Sequence, residues 1–172
     1  KKDIAYRPLI LRPINVQAYK HVEIFREDAN ELAQKIKVDV TYIDPPYNSR
    51  QYSRFYHVYE TLVKWNKPKL YGVAMKPKEE NMSEYCKSKA LDAFKDLIAN
   101  LDTKYIIVSY NNTYKSKSSS SANKIRLEEI SEVLEAVGET TIHTHSHNAF
   151  NTGKTEFDNH MEYLFVTRVY GK

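Results

Sequence analysis

The stretch T-Y-I-D-P-P-Y at residues 41–47 places an acidic and an aromatic side chain around two consecutive prolines. Proline has a fixed φ and no backbone N–H, so Pro45 and Pro46 stiffen the chain and leave its carbonyl groups available as acceptors. The Asp44 carboxylate and a proline carbonyl then form two closely spaced acceptors, which suit a planar NH₂ group with two N–H donors. Tyr47 adds an aromatic face on which a flat ring can stack. The stretch therefore predicts a pocket for an amino-substituted base.

The elements that position this pocket are predicted from hydrophobic spacing. Residues 38–43 alternate and are β-branched, which predicts a strand that stops at the two prolines. The other predicted strands are 22–25, 105–108, 140–147 and 162–169. Four helices are predicted. The first begins after an N-cap at Asp28, the second and third run over 55–63 and 90–101, and the fourth begins at 127 and ends at Gly138.

Strands and helices alternate along the chain, and two strands close it. This order is typical of an α/β domain with a mainly parallel sheet and a C-terminal antiparallel hairpin. Ligands of such sheets collect beyond the carboxyl ends of the strands, which is where Asp44 is predicted to lie.

The composition indicates one globular domain with a real core, since 41% of the 172 residues are hydrophobic. The net charge of +4 permits an anionic partner without requiring one, because 26 Lys and Arg are largely offset by 22 Asp and Glu. The single cysteine, Cys86, excludes an internal disulfide and fits a reducing compartment. No apolar run approaches about 18 residues, so no membrane span is predicted.

Several motifs together resemble one enzyme family. Asp-Pro-Pro-Tyr after a β-rich run resembles motif IV of amino-group DNA methyltransferases. The longer string Y-I-D-P-P-Y-N-S-R-Q-Y, with Tyr56, His57 and Glu60 behind it, resembles the Dam-like (alpha-class) adenine methyltransferases. The strings Y-I-I-V-S-Y-N-N at 105–112 and E-Y-L-F at 162–165 resemble strands that follow in that family.

This resemblance runs from about residue 22 to 169 and implies a fold and an activity. The implied fold is a Rossmann-like S-adenosylmethionine-dependent methyltransferase sheet. The implied reaction is transfer of a methyl group from S-adenosylmethionine to the exocyclic amine of adenine in double-stranded DNA. We expect a bacterial, cytoplasmic enzyme of a restriction–modification or orphan methylation system.

The resemblance also implies residue roles. A flipped adenine would stack on Tyr47 and donate from its amine to Asp44 and to the Pro45 carbonyl. The implied catalytic residues are thus Asp44, Pro45, Pro46 and Tyr47. Asp28 and Asp44 are implied to contact the cofactor, although Asp28 can equally be only a helix N-cap.

Contacts to DNA are predicted in the segment behind the prolines and in a later Ser/Lys-rich loop. The predicted contacts are Tyr47, Asn48, Arg50, Tyr52, Lys115 and Lys117. The alternative for all but Tyr47 is a solvated loop. His143, His145 and His147 alternate and would share a strand face, but no carboxylate or cysteine joins them, so no metal site is predicted.

The family's cofactor loop, Phe-x-Gly-x-Gly after a first strand, is absent from the sequence. The four glycines lie at 72, 138, 153 and 171, and none forms Gly-x-Gly. The chain therefore resembles the C-terminal part of an alpha-class enzyme, with 1–21 as a lead-in from the target-recognition region and 22–172 as a partial catalytic domain. The sheet is expected to be incomplete on its N-terminal side. The missing half is expected to come from another chain, to be replaced by a rearrangement of the sheet, or to lie outside this sequence.

Two other functions remain open. A Pro-Pro-aromatic pocket also serves RNA adenine methyltransferases. A non-catalytic nucleic-acid-binding remnant or subunit could keep the same fold without binding the cofactor.

Overall fold

The computed structural model describes residues 10, 21–113, 122–146 and 160–172. The helices are α1 (Ala29–Ala33), α2 (Tyr52–Phe55), α3 (His57–Lys64), α4 (Ala90–Asn100) and α5 (Leu127–Glu135), with a 3₁₀ helix at Glu84–Cys86. The strands are β1 (Lys37–Ile43), β2 (Asp102–Asn111), β3 (Gly138–Ser146) and β4 (Met161–Val169).

The four strands form one sheet in the order β1-β2-β4-β3. β1 and β2 are parallel, whereas β4 pairs antiparallel with both β2 and β3. Three strands therefore run in one direction, but two of the three pairings are antiparallel because β4 inserts between β2 and β3. The prediction of a mainly parallel sheet is right for strand direction and wrong for pairing, and the antiparallel pairing of the last two strands is confirmed.

One hydrophobic core joins the sheet to α4 and α5. Alternate residues of β2 and β4 point into it, and all are at most 1% exposed: Ile106, Val108, Tyr110 and Phe165. The helices contribute buried residues at helical spacing: Ala90, Phe94, Leu97 and Ile98 from α4, and Ile130 and Leu134 from α5. Each fully buried aliphatic or aromatic side chain contributes about 1.5–3 kcal/mol, so this core fixes β2 as a rigid central strand.

The opposite face of the sheet is open to solvent around β1. Val40 lies opposite Tyr105, and Tyr42 lies opposite Ile107, so these side chains share one face. Val40, Tyr42 and Tyr105 are 52%, 62% and 41% exposed. β1 is also an edge strand within the described part of the chain, as the sequence predicts.

The predicted strand at 22–25 is wrong, because these residues form no regular element. Val22, Ile24 and Phe25 are 63%, 91% and 49% exposed. An apolar, β-branched run becomes a strand only where a partner supplies the ladder of hydrogen bonds, and no described strand lies beside this segment.

Two further predictions need correction. The single helix predicted over 55–63 is two short helices, α2 and α3, which meet at Tyr56; Trp65, at a φ of 49°, ends the second. Gly138 does not cap α5 but begins β3, opposite Val169. A Cβ on Gly138 would lie 2.3 Å from the Arg168 carbonyl oxygen, so close strand approach explains the glycine.

None of the helices in the described ranges is both long and apolar enough to cross a membrane.

Candidate active site

Asp44 lies at the carboxyl end of β1, directly after the strand. In the register of β1 and β2, Ile43 lies opposite Val108, which brings the next residues, Asp44 and Ser109, together. The exposed carboxylate of Asp44 accepts two hydrogen bonds on the same oxygen, Oδ1. The Tyr47 hydroxyl donates at 2.9 Å and the Ser109 hydroxyl at 3.2 Å. Within the described residues, Oδ2 accepts no hydrogen bond.

Tyr47 turns back toward Asp44 after the two prolines. Its ring contacts the Tyr110 ring edge-on, with ring centroids 4.8 Å apart and an angle of 67° between the planes. Burial raises the pKa of the Tyr47 hydroxyl well above its ordinary value; the nearby Ser109 hydroxyl opposes this shift, and the Asp44 carboxylate adds to it. This hydroxyl therefore stays protonated and acts as a donor to Asp44 at neutral pH.

The backbone at Tyr47 is anchored from across the fold. Its carbonyl oxygen accepts from the Tyr110 hydroxyl at 3.1 Å and from the Lys124 N–H at 2.8 Å. The Tyr110 hydroxyl in turn accepts from the Ile125 N–H at 3.3 Å. Tyr110 is fully buried, and burial raises its pKa to about 12. The segment 122–125 thus fixes the position of the Asp-Pro-Pro-Tyr turn.

The segment behind the turn folds into α2. The Asn48 side chain accepts from the Arg50 N–H at 3.0 Å, and Gln51 is buried with two hydrogen bonds to the backbone of Ser83. Arg50 is exposed, and its guanidinium lies 6.0 Å from the centre of the Phe55 ring.

Tyr52 is 58% exposed, with its ring 5.7 Å from that of Tyr56. Burial, and then the charge of Asp44, raise the pKa of Tyr52. Tyr52 and Tyr56 also line a cavity of about 390 Å³ beside α2 and α3. Of the predicted DNA contacts, Tyr47 lies beside Asp44, whereas Tyr52 lies in α2, beside Tyr56. Lys115 and Lys117 lie outside the described residues.

Asp28 is the N-cap of α1, as predicted. Its Oδ1 accepts from the backbone N–H groups of Asn30 at 2.9 Å and Glu31 at 3.4 Å. Asn30 ties this helix to α4 by donating to the Ala93 carbonyl at 2.8 Å, and it accepts from the Tyr85 hydroxyl at 3.0 Å. The cap role is confirmed, and contact of Asp28 with a cofactor stays a prediction.

Ser109 and Tyr110 were missed as site residues by sequence reasoning. The available signal was the pair of hydroxyl side chains that follows the apolar run I-I-V in the strand at 105–112. Their contacts depend on the pairing of β1 with β2, which spacing along one strand does not reveal.

No group of three or more His, Cys, Asp or Glu side chains that could hold a metal ion occurs among the described residues. His143 and His145 lie exposed on β3, and His147 falls outside the described ranges. Cys86 is buried, and its thiol lies 3.6 Å from the Arg50 carbonyl oxygen.

Comparison with known proteins places these features in a family. Residues 2–122 match the model of the D12 class N6 adenine-specific DNA methyltransferases. The chain is 50% identical to Modification methylase StsI of Streptococcus sanguinis over 95 residues, which cover 54% of the chain and 14% of that protein. It is 39% identical to Type II methyltransferase M.FokI of Planomicrobium okeanokoites over 116 residues, which cover 66% of the chain and 16% of that protein.

A third relative aligns with nearly the whole chain. Type II methyltransferase M.NlaIII of Neisseria lactamica is 32% identical over 173 aligned residues, which cover 96% of the chain and 48% of that protein. The chain thus spans at most about half the length of these relatives. No solved structure shows a significant match. The family model covers the Asp-Pro-Pro-Tyr turn and all of β2, and on this match the chain belongs to the D12 class N6 adenine-specific DNA methyltransferase family.

Proposed function

We propose that this protein transfers a methyl group from S-adenosylmethionine to the exocyclic amine of adenine in double-stranded DNA. The single observation that carries this proposal is the Asp44 carboxylate, which a short hydrogen-bond network holds at the open end of β1 beside two prolines. Family membership supports the same reaction, and the relatives' names make a restriction–modification setting the best-supported one.

In this proposal the adenine leaves the DNA stack and enters a pocket lined by Asp44 and Tyr47. The amine donates one hydrogen bond to Asp44 and one to the Pro45 carbonyl. These bonds draw the nitrogen lone pair out of conjugation with the ring and direct it away from the two acceptors. When bound, the cofactor would supply an electrophilic methyl group: the N–C bond forms as the S–C bond of the sulfonium breaks, the neutral thioether leaves, and the amine loses one proton to solvent. The residues of this chain therefore act mainly by positioning and electrostatics.

Tyr47 provides the stacking surface for the base. The edge-on contact with Tyr110 and the anchored carbonyl hold its ring in place before substrate arrives. A fixed ring loses little conformational freedom on binding, so more of the stacking free energy remains for the base. Pro46 restricts the backbone that leads into Tyr47.

The DNA backbone is proposed to lie along the exposed surface after the turn. Arg50 and Tyr52 are exposed there, and Asn48 shapes the turn that presents Arg50. A guanidinium suits phosphate oxygens because it offers several donors in a fixed plane. Lys115 and Lys117 are proposed to add contacts to the DNA backbone.

The cofactor fits this chain only in part. Asp28 and Asp44 are exposed carboxylates that can accept from hydroxyl or amine groups of the cofactor. The methionine end of such a cofactor is normally bound by backbone N–H groups of a glycine-rich loop, and the sequence contains no Gly-x-Gly.

We therefore propose that a further polypeptide segment, in another chain or outside this sequence, completes the cofactor site and a Rossmann-like sheet. Among the described strands, β1 has a partner on one side only, and its Val40 and Tyr42 are exposed; both observations support this proposal. The lengths of the relatives support it as well, because 96% of this chain corresponds to only 48% of M.NlaIII.

Nucleoside mass spectrometry tests the reaction directly. The natural-length protein is incubated with S-adenosylmethionine in two separate samples. One sample contains duplex DNA of mixed sequence, and the other contains RNA of mixed sequence. N6-methyladenine in the DNA sample alone is the expected result. Methylation confined to RNA or to cytosine would overturn the proposal.

Calorimetric titration of S-adenosylmethionine into residues 1–172 tests whether a further polypeptide segment is needed for cofactor binding. We expect little or no binding, because half of a site rarely offsets the entropy lost on association. Micromolar affinity of the monomer would contradict the need for a further segment.

A further inference from the structure

We propose that Ser109 is a positioning residue that, together with the Tyr47 hydroxyl, holds one oxygen of Asp44 and leaves the other oxygen for the substrate amine. This inference rests on the proposed function, since it concerns how Asp44 receives its substrate. Ser109 touches neither base nor cofactor in this scheme, and it acts through Asp44.

The two hydroxyls come from different parts of the fold and converge on one atom. Tyr47 reaches Asp44 Oδ1 from beyond the prolines at 2.9 Å, and Ser109 reaches the same oxygen from β2 at 3.2 Å. A carboxylate only accepts hydrogen bonds, so both hydroxyls must donate to it. The side chain of an exposed aspartate would otherwise rotate among several orientations.

The result is a division between the two carboxylate oxygens. Each oxygen has about two lone-pair sites, and two donors occupy those of Oδ1. Oδ2 accepts no hydrogen bond in the part of the chain that the structure describes. It is therefore the oxygen available to the incoming amine. Ser109 fixes where this oxygen points.

Ser109 suits this position because its backbone is rigid. It lies on β2, which pairs with β1 on one side and with β4 on the other, where Ser109 is opposite Leu164. The neighbouring Val108 and Tyr110 are fully buried in the core. A hydroxyl on such a strand is held within a narrow range of positions, whereas the Tyr47 hydroxyl depends on a turn.

Substitutions that change only the hydroxyl test this inference in the natural-length enzyme. Ser109→Thr and Ser109→Val have nearly the same shape, suit a strand, and differ in the hydroxyl. We expect methyl transfer in a single turnover to be about 10-fold slower in Ser109→Val, since a misplaced catalytic group costs rate more than affinity. We expect Ser109→Thr to stay within about 3-fold of wild type, since it keeps the hydroxyl.

A split between rate and affinity distinguishes positioning from a merely structural effect. In Ser109→Val the KM for DNA is expected to stay within about 2-fold, because uniform binding is unchanged. Base extrusion can be measured by the fluorescence of 2-aminopurine placed at the target position. Extrusion should also be unchanged in Ser109→Val, because the amine of 2-aminopurine is on C2 and does not face Asp44. Ser131→Ala is the control, since among the described residues the hydroxyl of this serine bonds only Glu135, on the surface of α5.

Asp44→Ala, measured in parallel, separates the two proposals. If Asp44→Ala keeps near-normal turnover, the proposed function fails. If Asp44→Ala is inactive while Ser109→Val transfers methyl as fast as Ser109→Thr, only the positioning role of Ser109 is overturned. Equal losses in the Thr and Val variants, or a raised KM with unchanged turnover, would also overturn it.

Discussion

Replacement of Tyr110 by phenylalanine is expected to destabilise the fold and loosen the candidate site. The Tyr110 hydroxyl donates to the Tyr47 carbonyl at 3.1 Å and accepts from the Ile125 N–H at 3.3 Å. Without it, Tyr47 keeps its second bond, from the Lys124 N–H. Ile125 is 1% exposed, so its N–H is left buried without a partner. An unsatisfied buried donor costs about 1–3 kcal/mol.

The midpoint of thermal denaturation provides the measurement. A loss of about 2 kcal/mol corresponds to a decrease of about 4–8 °C in Tm for a domain of this size. Tyr163→Phe is the matched control: this tyrosine is on β4, its hydroxyl makes no hydrogen bond within the described ranges, and we expect a change within about 0.5 kcal/mol. Equal Tm values for Tyr110→Phe and Tyr163→Phe would refute the anchoring of the Tyr47 turn by Tyr110.

Three further predictions concern Tyr110, Tyr47 and Asp28. Burial raises the pKa of Tyr110 to about 12, above the ordinary value of about 10, so the stability this group contributes is complete below pH about 10 and is lost as the pH rises to about 12. Because the pKa values of Tyr47 and Tyr85 are raised as well, the test is a difference: in urea denaturation over that range, wild type should lose about 2–3 kcal/mol more than Tyr110→Phe. An equally steep loss in Tyr110→Phe would contradict the assignment. Tyr47→Phe loses the donor to Asp44 but keeps the ring, so we expect methyl transfer to be about 10-fold slower. Tyr47→Ala should lose a further ~1–3 kcal/mol of stacking free energy. Equal rates for the two variants would argue against stacking. Asp28→Ser keeps a helix cap, whereas Asp28→Ala costs about 1 kcal/mol of stability. If Asp28 contacts the cofactor, the KM for S-adenosylmethionine should rise in both variants. An unchanged KM in both variants would limit Asp28 to its role as the N-cap.

The parts of the fold that sequence predicts well are those determined by local pattern. The strand before Asp44 follows from the alternation of its side chains with period 2, and the helix predicted over 90–101 follows from apolar residues with period 3.6. Their positions agree with β1 and α4 of the structure. Residues 22–25 have the same β-branched character, yet they form no strand, because pairing depends on a neighbour that local pattern does not supply.

The candidate site shows the same limit. The acceptor and the ring, Asp44 and Tyr47, are only three positions apart, so their proximity is visible in the sequence. The contacts to Ser109, Tyr110 and Ile125 join segments more than sixty residues apart or cross from β2 to the start of α5. The register of β1 and β2 brings Ser109 and Tyr110 to the turn, and the packing of segment 122–125 adds the contact with Ile125. Both are properties of tertiary packing.

The need for the Asp44 carboxylate is tested by the rate of a single methyl-transfer turnover in the Asp44→Ala variant of the natural-length enzyme. The carboxylate is exposed at a strand end, so the variant is expected to fold, with a Tm close to wild type and normal binding of duplex DNA. The loss of an interaction made chiefly in the transition state should slow transfer about 100-fold or more. A rate within a few-fold of wild type, with N6-methyladenine as the product, would contradict the account, because the amine would then not need the acceptor at the end of β1.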